Sequence, residues 1–108
     1  MKAAAIVQPQ KIEIIDKPDP TPKEDEVVVR IKASALCKSD LTVYYGMPVV
    51  GKVSYPIVPG HEPAGVVEKV GPKVKSVNIG DRVAIYLAIG CGRCQYCRSG
   101  RVILCPYA

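Results

Sequence analysis

The chain has no phenylalanine and no tryptophan, and only four leucines and two methionines. Leucine favours helices, whereas β-branched residues favour strands. With 26 valines and isoleucines against those four leucines, a mainly β core is expected and a helical bundle is excluded. Long apolar runs are also missing. The longest, Val83 to Ile89, has seven residues, and a membrane helix needs about 20. The run Ala3–Val7 behind Met1-Lys2 has five, below the roughly 7–15 of a secretory signal core. No membrane partner is expected, and the expected location is cytoplasmic.

Blocks of like charge are absent too. The net charge is +5 with a pI near 9.0, but the 15 basic residues are scattered and form no stripe. A nucleic-acid partner is therefore not expected. The formal charge also treats every cysteine as neutral. Four thiolates on one divalent ion would lower it to +3. The cysteines themselves number five, and four fall between positions 91 and 105. That is poor geometry for a disulfide framework and good geometry for a metal. A length of 108 residues makes about one domain, since domains run roughly 100–200 residues.

No repeat or low-complexity segment interrupts residues 1–108. Lys2–Gln8 and Lys11–Asp16 read as strands around Pro9-Gln10. Pro18, Pro20 and Pro22 make an extended connector. Glu26–Ala35, Ala64–Val70 and Arg82–Ile89 read as further strands. Ser39-Asp40 suits the cap of a short helix or turn over Leu41 to Gly46, and Tyr44–Pro59 reads as a loop. Five or six strands with polar turns and no long helix suggest a small, irregular β-barrel.

The four clustered cysteines, Cys91, Cys94, Cys97 and Cys105, stand as C-x₂-C-x₂-C-x₇-C. Two-residue gaps let neighbouring thiolates converge on one ion, with Gly90, Gly92 and Gly100 easing the tight backbone. Four sulfurs complete a tetrahedral shell and leave no open position, which makes a structural zinc site. Arg93, Arg98 and Arg101, and at least one backbone amide, are expected to offset its negative charge. An iron–sulfur cluster is the nearest alternative, since Cys105-Pro106 also ends ferredoxin motifs. Their last gap is x₃, however, where this one is x₇. Disulfides or free thiols are the remaining alternative.

The fifth cysteine lies in Cys37-Lys38-Ser39-Asp40, and the only histidine in Gly60-His61-Glu62. Taken alone they read as a buried cysteine and a surface histidine, or as ligands aimed inward from strand–loop junctions. Together with Gly65-Val66-Val67, Gly80-Asp81-Arg82-Val83 and the four-cysteine lobe of residues 90–106, these motifs stand in a recognisable order. The chain resembles the N-terminal catalytic domain of zinc-dependent medium-chain alcohol dehydrogenases, with its GroES-like barrel, and the resemblance spans essentially all 108 residues.

The resemblance implies that Cys37 and His61 are two of three protein ligands of a catalytic zinc. Glu62 would enter its coordination sphere or accept a structural hydrogen bond. Asp40 would hydrogen-bond the ligand histidine and fix its tautomer. Ser39 would take the alcohol proton, and Lys38 would meet the pyrophosphate of NAD or NADP. The implied reaction is oxidation of a small alcohol or reduction of a carbonyl, with hydride passing to or from the nicotinamide. Tyr44, Tyr45, Met47 and Tyr55 are candidates for part of the substrate pocket.

Two departures from the family stand out. Many members have a relay histidine five residues past the cysteine, where this chain has Thr42. Members also continue to a third catalytic-zinc ligand and a nucleotide-binding domain, whereas the chain ends at Ala108 and contains no G-x-G-x-x-G behind a strand. The expectation is a GroES-like barrel incomplete relative to the family and inactive on its own, with a complementing chain or self-association as candidate partners. The alternative is a stand-alone zinc-binding interaction module whose unpaired strand edges favour self-association.

Overall fold

The computed structural model describes residues 1–47 and 53–107. Five strands and two short helices are present among them: β1 Lys2–Gln8, β2 Lys11–Asp16, β3 Val27–Ala35, α1 Lys38–Tyr44, β4 Glu62–Val70, β5 Arg82–Ala84 and α2 Gln95–Arg98, followed by a 3₁₀ turn at Val102–Leu104. The strands make two antiparallel sheets, β1–β2 and β3–β4–β5. The mainly β composition is realised, but among the described residues the sheets do not close into a barrel. An isolated bridge ties β1 to the segment preceding β4: Ile6 and Ile57 exchange both backbone hydrogen bonds at 2.8 and 3.0 Å.

The first two strands match their sequence bounds, because the break at Pro9-Gln10 is local. Gln10 turns the chain with φ +61°. The third strand begins one residue later than expected, and β4 begins two residues earlier, at Glu62. Pro63 sits within β4 opposite Ser34. The expected strand Arg82–Ile89 pairs only over Arg82–Ala84. Pro63 explains the early stop. The Ile85 amide still donates to the Pro63 carbonyl at 2.9 Å, but proline has no N–H to return the bond. Beyond it Ile85, Tyr86, Leu87 and Ile89 are exposed.

The core is thin. Among the described residues only Ala5, Ile6, Val67 and Cys105 are buried apolar positions. A monomer of 11.6 kDa normally exposes about 5,800 Å², yet this chain exposes 8345 Å². Its radius of gyration of 15.4 Å likewise exceeds the roughly 13 Å of a compact chain of this length. Ile12 and Ile14 of β2 face outward.

Candidate metal centres

Register brings the first centre together. Ala35 at the end of β3 lies opposite Glu62 at the start of β4. Cys37, two residues beyond one strand, therefore meets His61, one residue before the other. One ligand atom each from Cys37, His61 and Glu62 falls within 4.8 Å of the others.

Asp40 holds this arrangement from beneath. It is the buried charged residue of the described chain, 8 % exposed, in the first turn of α1. Its Oδ2 accepts the Cys37 amide at 3.0 Å, and its Oδ1 accepts the Gly60 amide at 3.5 Å. The same Oδ1 lies 3.3 Å from Nδ1 of His61. One carboxylate thus ties the two ligand-bearing segments and leaves Nε2 of His61 facing the other way. On that side the Ser39 hydroxyl sits 3.5 Å from Nε2.

The electrostatics match a cation site. Hydrogen bonds from the Ser39 hydroxyl and amide, then from His61, hold the Cys37 thiol below its ordinary range. The hydrogen bond with Cys37, aided by the Asp40 charge, pushes His61 above its ordinary value. Both shifts favour the charged forms of the pair, and a metal bound there would displace the imidazole proton. Lys38 is exposed at the first position of α1.

Two clefts flank His61. One, of about 310 Å³, runs between Ser39–Asp40–Val43 and Ile57–Gly60. The other, of about 270 Å³, is lined by Glu62–Ala64 and Ala84–Leu87. A larger depression of about 480 Å³ between Lys32 and Arg82 on β3–β5 contains none of the ligand residues. Tyr44, Tyr45, Met47 and Tyr55 line neither flanking cleft. Instead the Tyr44 hydroxyl donates to the Gln10 carbonyl and the Tyr55 hydroxyl to the Val43 carbonyl. The two clefts are lined by residues that include Ile57, Val58 and Ile85–Leu87. Sequence reasoning missed these residues because Ile85–Leu87 read as strand. It also missed the Gly60 amide, whose signal was its place directly before His61.

The second centre is local to residues 90–107. The four sulfurs of Cys91, Cys94, Cys97 and Cys105 lie within 4.8 Å of one another, and all are free of disulfides. Cys94 Sγ is 3.6 Å from Cys97 Sγ and 3.8 Å from Cys105 Sγ. Zinc–sulfur bonds of about 2.3 Å in a tetrahedron give edges of about 3.8 Å. The donor set therefore fits one tetrahedral ion, and an iron–sulfur cluster, which interposes its own sulfides between thiolates, needs a wider spread. Gly90 makes room for it, since a Cβ there would stand 2.6 Å from Cys97 Sγ.

Backbone amides supply much of the countercharge. Cys91 donates to Cys105 Sγ, Cys94 to Cys91 Sγ, Cys97 to Cys94 Sγ and Tyr107 to Cys105 Sγ, all at 3.4–3.5 Å. Amides of Arg93 and Cys94 lower the Cys91 thiol to about 6, whereas burial pushes Cys97 up to about 12. Arg101 was expected to offset the cluster, but its guanidinium lies over the Tyr96 ring at 5.9 Å and its Nε donates to Ser99.

Residues 23–108 match the family of the alcohol dehydrogenase GroES-like domain. The chain belongs to this family. An alcohol dehydrogenase of Geobacillus stearothermophilus is 44% identical over 97% of this chain, and a sorbitol dehydrogenase of Bacillus subtilis is 41% identical over 98%. The crystal structure of an NAD-dependent alcohol dehydrogenase superposes with a TM-score of 0.86 at 38% identity over 98% of the chain and 32% of its own length. The cobalt- and zinc-bound alcohol dehydrogenase of Pyrobaculum aerophilum gives 0.84 at 35% identity, over 98% of this chain and 32% of that one. This GroES-like domain spans about a third of its curated relatives, 32% and 30% of the two named. Among its described residues no helix is long and apolar enough to cross a membrane.

Proposed function

We propose that this chain forms the metal-binding N-terminal part of a zinc-dependent, NAD(P)-linked alcohol dehydrogenase that oxidises a small alcohol or reduces the matching carbonyl. The observation that carries this reading is the convergence of Cys37, His61 and Glu62 within 4.8 Å, in a chain of this family with a separate four-sulfur cluster. Cys37, His61 and Glu62 supply three donors and leave a fourth position to the substrate, the pattern of a catalytic zinc. The four cysteines close a shell completely, the pattern of a structural one.

Bound at the first centre, zinc supplies Lewis acidity toward the substrate oxygen. Asp40 accepts Nδ1–H of His61, fixing the tautomer that leaves Nε2 to the metal. Ser39, on the Nε2 side of the ring, takes the proton of the alcohol. Thr42 has no titratable group, so the proton leaves through water. Ile57–Val58 and Ile85–Leu87 line the clefts on either side of His61. Lys38, exposed at the first position of α1, meets the dinucleotide pyrophosphate.

Elemental analysis of the purified chain tests the reading. Two zinc ions per chain are expected, falling to one in Cys37→Ser; one ion in both proteins rejects the first centre. Alcohol-dependent reduction of NAD or NADP is expected to be absent from the 108 residues alone, which carry no dinucleotide motif. A second reading, a zinc-binding module that associates with itself or another chain, draws on the exposed apolar side chains of β2 and of residues 85–89. Sedimentation at several concentrations separates the two, since a monodisperse monomer removes the second.

A further inference from the structure

We infer that the turn at Pro9-Gln10 is a positioning element for the Cys37–His61 centre, a role that rests on that centre holding a metal. Helix α1 caps on Cys37 and carries Ser39 and Asp40, but with seven residues it is too short to hold its place alone. Its far end is fastened to Gln10 in both directions. The Gln10 amide donates to the Tyr44 carbonyl at 2.7 Å, and the Tyr44 hydroxyl donates to the Gln10 carbonyl at 3.1 Å.

Both bonds depend on an unusual backbone. Gln10 is the one non-glycine residue with positive φ among the described residues, at +61°. Pro9 beside it closes on the end of the helix so tightly that a Cβ at Gly46 would lie 2.8 Å from its ring.

The same hairpin reaches the other ligand. Ile6, 2 % exposed in β1, exchanges both backbone hydrogen bonds with Ile57, four residues before His61. One two-stranded unit therefore fixes the segments carrying both ligands, which lie 24 residues apart in sequence. The hydrogen bonds of residues 91–107, by contrast, all run within that stretch among the described residues. The four-cysteine lobe is thus an internal control.

Cobalt(II) titration of the full 108-residue chain tests this. Thiolate-to-cobalt absorption scores the two centres separately, with Cys37→Ser supplying the lobe-only spectrum. Gln10→Val, a β-branched side chain forced to positive φ, is expected to weaken cobalt at the Cys37–His61 centre about tenfold, the scale of a lost support behind a metal ligand. Tyr44→Phe, missing one hydrogen bond, is expected to weaken it about fivefold. Gln10→Gly keeps the turn and is expected to bind as the parent does, and lobe affinity is expected to stay constant in all three. Unchanged affinity at both centres, or parallel loss at both, overturns the inference alone. A parent chain that binds cobalt only in the lobe overturns the metal reading and this role together.

Discussion

Oδ1 of Asp40 lies 3.3 Å from Nδ1 of His61, while the other oxygen of the same carboxylate accepts the amide of Cys37. A buried carboxylate thereby joins a helix cap to His61, one residue before β4, which the chain reaches 21 residues after Asp40. Replacing it by Ala leaves the Cys37 amide without that partner and the imidazole free to rotate. Asp40→Ala is expected to cost about 1–3 kcal/mol of stability and to weaken zinc at the Cys37–His61 centre about 10–100-fold. Urea unfolding and zinc competition with a chromophoric chelator read the two effects, and lobe zinc is expected to be retained.

Zinc uptake by the lobe is expected to release protons and to weaken in acid. At pH 7 Cys97, pushed up to about 12, still carries its proton, whereas Cys91, lowered to about 6, has lost its own. Binding must displace the Cys97 proton, so affinity falls about tenfold per pH unit for that group. Below about 6 Cys91 is protonated as well and the slope steepens. Calorimetry in buffers of different ionisation heat counts the protons released at each pH; a pH-independent affinity would contradict the assignment.

Stripping the lobe metal is expected to unfold residues 90–107 without dissolving the sheets. Cys105 is the only buried residue there among those described, so an ion held by the four sulfurs would stand in for a core. In Cys105→Ser, amide hydrogen exchange is expected to become fast across Cys91–Tyr107 and to remain slow at the β3–β4 ladder around Val67. Loss of protection in both regions together would show that the lobe and the sheets fold as one unit.

The sheet that aligns the ligands depends on Val67, which is 1 % exposed. Val67→Ala removes two buried methyl groups, about 0.8 kcal/mol each with a cavity term added. A loss of about 2 kcal/mol is expected in urea unfolding. Ile14→Ala on the exposed face of β2 is expected to stay within about 0.5 kcal/mol.

Sequence alone determined whatever depends on near neighbours. The four-cysteine lobe was legible because its ligands lie within fifteen residues and two-residue gaps leave thiolates few other arrangements. The strands Lys2–Gln8 and Lys11–Asp16 were legible because a local turn separates them. What only the tertiary structure decided lies across long separations, where pattern carries no distance. The centre at Cys37 and His61 exists because Ala35 registers with Glu62. A slip of one residue would shift the strand about 3.3 Å and turn every side chain to the opposite face. The truncation of β5 at Ala84 was equally hidden, since the residue that ends it, Pro63, lies on the neighbouring strand and acts through an N–H it does not have.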